Sequence, residues 1–188
     1  MGYVEDSKVE SANPVGLKGI EFIEFTTQEP AYADRVLKGF GFSKLMRHRE
    51  KNLFYYRQND IHILVNHAET GFERAFAEQH GNAICAMGWR VNNAQQAFET
   101  AVQRGATPFI PGKIGACDLS LPAIYGIGDS IIYFVDQSES LKGGTEAGKD
   151  SYLQKQGFVP LESPELVEQK GFLRVDHLTN NVYKGTMS

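Results

Sequence analysis

Apolar and polar residues alternate with a period of two along most of this chain, the pattern of half-buried β-strands. The first such run is 19–25, where Ile20 and Phe22 alternate with Glu21. Thr26 or Thr27 then supplies an N-cap and Pro30 a first helical position, and Tyr32, Val36 and Leu37 fall at helical spacing over 31–38. Gly39 and Gly41 end that helix. Three short strands are predicted at 43–48, 53–57 and 61–66, the last two joined by a tight turn at Asn59-Asp60. The unit is β-α-β-β-β.

The same order then recurs. A short bridging helix covers 71–80, a strand 83–91, and a helix 94–104 capped by Asn92-Asn93 with Ala97, Phe98, Ala101 and Val102 on one face. A short strand at 107–109 and a hairpin of 123–127 with 130–135, turned at Gly128-Asp129, complete a second unit. A repeat of about sixty residues restricts the fold strongly. The expected class is α+β, built from tandem βαβββ units.

This division predicts a flexible leader at 1–15, a domain of two units at 16–136 and a linker at 137–171, of which 137–149 is rich in Gly, Ser, Lys and Glu. From Phe172 the opening move of the first unit restarts, so 172–188 is expected to begin a further, truncated domain, its first strand carrying His177.

The 188 residues carry a net charge of −4 and a 41% hydrophobic share, so no basic footprint points to nucleic acid or anionic membranes. No apolar run reaches bilayer-spanning length, and the first residues lack a signal-peptide pattern. Cys85 and Cys117 form no CxxC pair, and Cys85 sits in an apolar run as a small core residue. These features fit a reducing cytoplasm.

The remaining polar residues read as structural. His62 and His67 point to opposite faces of one strand and share no metal, and His62 is structural. His48 is expected at a solvated edge, and His80 at a helix C-terminus favoured by the dipole. Glu21 and Glu24, three residues apart, read as surface and edge carboxylates on opposite faces rather than an acid/base pair. Gly126-Ile127-Gly128-Asp129 lacks the strand-loop-helix context of a phosphate loop. Phe22, Phe25, Phe42, Trp89 and Phe134 are core candidates.

Several phrases narrow the family: 13–19 leading into 20–25, Leu53-Phe54-Tyr55-Tyr56-Arg57, 122–128, Tyr133-Phe134-Val135-Asp136, Phe158-Val159-Pro160-Leu161-Glu162 and Val175-Asp176-His177-Leu178-Thr179. In this order they resemble the N-terminal half of bacterial-type 4-hydroxyphenylpyruvate dioxygenases, in the vicinal-oxygen-chelate (glyoxalase-like) superfamily. The resemblance implies an Fe(II) enzyme of tyrosine catabolism, working on a 2-oxo acid and O2, cytoplasmic and homo-oligomeric. Its metal would be held by two His and one carboxylate, leaving open positions for a chelating substrate and O2. The first ligand would be His177, with the other two beyond Ser188. The fragment alone would then bind no metal and be inactive. Many members carry a second His where this chain has Asn180, which is not the ligand position. Laying 175–179 over 20–24 places Phe22 at the ligand position, so the first unit pair is expected to be metal-free. The alternatives are a metal-free binding or interaction module of the same fold, a hydroxymandelate synthase half, and a small superfamily metalloenzyme such as a glyoxalase or thiol transferase. Phe22 argues against the last.

Overall fold

In the structure, a computed structural model, described residues are 13–67, 69–110, 119–141, 152–181 and 184. Alternation becomes strand β1 at Leu17–Thr26, followed by α1 (Pro30–Gly39), β2 (Ser43–His48), β3 (Leu53–Gln58) and β4 (Ile61–Asn66). Glu29 is the N-cap of α1 and Pro30 opens it. Thr27 acts just before it, its Oγ1 accepting from Glu29 N at 2.9 Å. Helix α2 (Phe72–His80) leads to β5 (Ala83–Val91), α3 (Ala94–Gln103), β6 (Pro108–Phe109), β7 (Ala123–Tyr125) and β8 (Ile131–Asp136). Asn93 caps α3, its side chain accepting from Gln96 N at 2.8 Å.

With a ninth strand, β9 (Phe158–Glu165), the described strands join one sheet in the order β6-β7-β8-β5-β1-β4-β3-β2-β9. The two units mirror each other about its centre. β1 runs parallel to β4 and β5 parallel to β8, while β1 and β5 pair antiparallel. The tandem βαβββ reading is therefore the observed architecture.

The ninth strand comes from the stretch read as linker. Within 137–171 the chain forms α4 (Tyr152–Lys155) and β9 (Phe158–Glu165), and β9 pairs antiparallel with β2. Tyr152, Leu153 and Phe158 are buried in the core, which holds this return segment against the sheet. The Gly/Ser-rich part at 142–150 and the leader at 1–12 lie outside the described residues, as does Cys117.

One face of the sheet carries α1 and α3. Ala33 and Leu37 pack there with Ile63 and Val65, and Ala97 and Ala101 with Phe134. The other face carries α2 and α4 over Phe22, Leu64, Cys85 and Tyr133. Phe22 lies at the middle of this second layer, its ring 6.0 Å from that of Tyr133 and 6.3 Å from that of Tyr152.

Three polar expectations are corrected. Glu21 and Glu24 are 1% and 2% exposed, not surface carboxylates. A register shift between Ile20 and Phe22 breaks the alternation of β1, so the two no longer take opposite faces. Glu21 acts on Tyr55, His62 and Tyr152, and Glu24 on Cys85, all in the α2/α4 layer. His48 is buried rather than solvated, because the turn between α4 and β9 covers it. Its Nε2–H donates to Gln156 O at 2.7 Å and its Nδ1 accepts from Glu50 N at 3.1 Å.

Candidate functional site

The residue singled out as a metal ligand lies on the segment that leaves β9. That segment runs back along the β2–β3 side of the sheet and across the α1/α3 face. Among the described residues from Phe172 onward no strand is formed, and Arg174 makes a β-bridge to Asp60 at the tip of the β3–β4 hairpin. Val175 packs instead against the cluster of Phe42, Tyr56 and Ile63. Val175, Asp176, Leu178 and Asn180 close one side of a cavity of about 360 Å³, with Ile20 and Trp89 opposite.

His177 faces outward, its side chain 74% exposed. Its Nδ1 lies 2.9 Å from Asp176 Oδ2. The imidazole beside it holds the Asp176 carboxyl below its ordinary value, chiefly through this hydrogen bond. A carboxylate on Nδ1 orients the ring and leaves Nε2 available, the arrangement that favours an Nε2 metal bond. His177 thus fits as one donor of a metal site. Among the described residues no group of three or more His, Cys, Asp or Glu side chains could complete one. Phe22, the residue that the sequence overlay sets against His177, is a core ring.

The polar groups of the α2/α4 layer hold structure together. Arg90 Nε lies 2.7 Å from Glu21 Oε2 and 2.8 Å from Ser140 Oγ, and Leu141 N donates to Glu21 Oε1 at 2.6 Å. Asn66 Nδ2 donates to Glu24 Oε1 at 2.7 Å. His62 stacks on Tyr55, 6.0 Å between ring centres, and its Nδ1 lies 2.8 Å from Tyr55 Oη. Burial raises the Tyr55 phenol far above its ordinary value, and His62 Nε2 lies 3.6 Å from Asp60 Oδ1. His67 turns elsewhere, its Nδ1 2.9 Å from Thr27 O. Sequence reading missed the Glu21–Arg90 pair, for which the bulge in β1 leaves no compositional trace.

Burial depresses His62 from 6.5 to about 4 and lowers His48 as well. In both cases the unfolded ring binds its proton more readily than the folded one. Stability is therefore complete above pH 6.5 and is lost progressively as pH falls toward the folded values. His62 alone should account for a loss on the order of 3 kcal/mol by about pH 4. Urea midpoints taken from pH 7.5 down to about pH 4.5 should fall steadily. A flat profile would refute neutral burial of both rings.

Comparison with known proteins places this geometry. The family model for "Hydroxyphenylpyruvate dioxygenase, HPPD, N-terminal" matches residues 11–146. Protein MelA of Shewanella colwelliana is 49% identical over 175 residues, covering 93% of this chain and 47% of MelA. A 4-hydroxyphenylpyruvate dioxygenase of Pseudomonas sp. (strain P.J. 874) is 36% identical over 177 residues, or 94% of this chain and 47% of that enzyme. Among solved structures, a xylose isomerase-like TIM barrel/4-hydroxyphenylpyruvate dioxygenase fusion protein superposes with a TM-score of 0.69 at 31% identity, over 86% of this chain and 24% of the fusion. The chain spans about half the length of the curated relatives it matches.

Proposed function

Because the chain belongs to the hydroxyphenylpyruvate dioxygenase N-terminal family, we propose that it is the front half of an iron(II)-dependent 4-hydroxyphenylpyruvate dioxygenase. Such an enzyme converts 4-hydroxyphenylpyruvate and O2 to homogentisate and CO2 in tyrosine breakdown. The observation that carries this reading is the match to the Pseudomonas dioxygenase along 94% of this chain but only 47% of the enzyme. A cytoplasmic, homo-oligomeric protein goes with it. None of the described helices is long and apolar enough to cross a membrane, and Cys85 is an unpaired thiol.

In this reading residues 16–136 form the metal-free domain and His177 supplies one iron ligand. When bound, iron would supply activation of O2 and of the 2-oxo acid. The chain's own contribution is an imidazole whose Nε2 points to solvent while Asp176 occupies Nδ1. Asp176 keeps the proton on Nδ1 and leaves the Nε2 lone pair free to bind metal.

The test is His177→Ala in the complete protein. It should lose stoichiometric iron and homogentisate formation, with its circular dichroism and thermal midpoint unchanged. Retained iron and turnover would refute the ligand assignment. The 188-residue chain alone should form no homogentisate, and detectable product would sink the half-enzyme reading.

A further inference from the structure

Between Val167 and Leu173 the chain lies against the sheet without joining it, and side chains stand in for the missing strand partner. Val167 N donates to Ser43 Oγ at 3.1 Å. Lys170 N and Phe172 N both donate to Gln58 Oε1, at 2.7 and 3.3 Å. Asn59 Nδ2 donates to Phe172 O at 2.7 Å, and Asp60 N to Leu173 O at 3.0 Å. Gln58 is fully buried, and its Nε2 donates to Phe40 O at 2.8 Å. Its amide thus satisfies three main-chain groups drawn from two distant parts of the chain. Asn59 holds a left-handed φ of 49°, which aims its amide at the strap.

Two further contacts show that the fit is close. A Cβ on Gly41, which sits at φ +86°, would come within 2.8 Å of both Glu168 O and Lys170 N. The rings of Phe40 and Phe172 meet with centroids 6.2 Å apart. A shift of the strap by one residue would bring Gly171 N, not Lys170 N or Phe172 N, to the Gln58 oxygen. It would also leave buried polar groups unpaired, which is costly. The arrangement fixes register as well as attachment.

We propose that the Gln58–Asn59 corner is a positioning clasp for the Asp176–His177 pair. It sets the register of 167–174 and so the place at which the imidazole is presented. The proposal rests on the reading of His177 as a metal ligand, and it gives the two-unit domain a part in assembling a site it does not contain. Gln58 and Asn59 are positioning residues, acting through the strap.

The test needs no metal, so its outcome is separate from that of the ligand assignment. In the 188-residue chain, amide exchange is followed at Lys170 and Phe172. A nitroxide pair at His177→Cys and Gln103→Cys, with Cys117→Ser, reports the position of residue 177. The chain with Gln58 and Asn59 intact should protect both amides by about 100-fold or more and give one narrow distance distribution. Gln58→Met should remove most of that protection and broaden the distribution, with the thermal transition of the sheet retained. Gln58→Glu adds a reading that general destabilisation would not give. A protonated carboxyl can donate to Phe40 O and accept from Lys170 N and Phe172 N, whereas a carboxylate opposes the carbonyl. The distribution should be narrow near pH 5.5 and broad near pH 8. If Gln58→Met unfolds the domain, Asn59→Gly carries the test, because it keeps the turn and removes only the tether to Phe172. Unprotected amides in the chain with the clasp intact, or an unchanged distribution in the folded variants, would overturn the clasp.

Discussion

Replacing Arg90 with methionine is expected to destabilise the protein by about 3–5 kcal/mol, the cost of leaving a buried charge uncompensated. The side chains of Glu21 and Arg90 are 0% and 6% exposed. Removing the guanidinium leaves the Glu21 carboxylate, among the described residues, with Ser140 Oγ and Leu141 N as hydrogen-bond partners, at 2.6 Å each. Truncating one member of such a pair costs far more than truncating an exposed one. The exposed i,i+4 pair of Arg74 and Glu78 is worth about 0.5 kcal/mol. The double variant Glu21→Leu/Arg90→Met should recover most of the loss, since an apolar pair of similar volume carries no desolvation cost. Urea unfolding of the two single variants and the double measures this directly. A change below about 1 kcal/mol in Arg90→Met would show that the pair is hydrated. The same variant should speed amide exchange at Leu141, because Glu21 pins the chain as it leaves the second unit.

Much of this architecture was legible in the chain, and the part that was not has a common cause. Period-two alternation and capping residues act locally, so the strands, the helices and the repeat could be read from neighbouring residues. The mirrored strand order follows from the repeat, because each unit closes its own parallel pair. What local pattern cannot carry is the identity of a distant partner. His48 looks solvated beside Arg47 and Arg49, and is buried because Gln156, 108 residues later, folds over it. Gln58 looks like an ordinary strand end, and its oxygen meets an amide 112 residues away. Alternation from Phe172 onward records the capacity to be a strand, while pairing depends on a partner that local pattern does not name. His177 became a candidate ligand only through the family phrase around it. A lone histidine in an alternating run has no intrinsic mark of metal binding. The structure adds the Asp176 contact and the open Nε2.

Phe22→Ala is expected to cost about 3–5 kcal/mol, the range for deleting a large buried aromatic ring. Phe22 is 1% exposed and is wedged between Tyr133 and Tyr152, which are equally buried. Neither tyrosine can follow the lost ring inward without giving up its own packing, so a cavity should remain. The neighbouring strand provides a control. A Cβ on Gly88 would lie 2.4 Å from two carbons of the Phe22 ring. Gly88→Ala alone should therefore cost about 1–3 kcal/mol by overpacking. In the Phe22→Ala background the same methyl enters vacated space. The double variant should be less destabilised than the sum of the singles, by more than about 0.5 kcal/mol. Additive costs would mean that the ring and the glycine do not share this space. The sequence overlay sets Phe22 against His177, so the cycle also tests what the first unit does with the position where the later segment carries a candidate ligand. A ring that supplies several kcal/mol of packing leaves no room there for an imidazole and a metal.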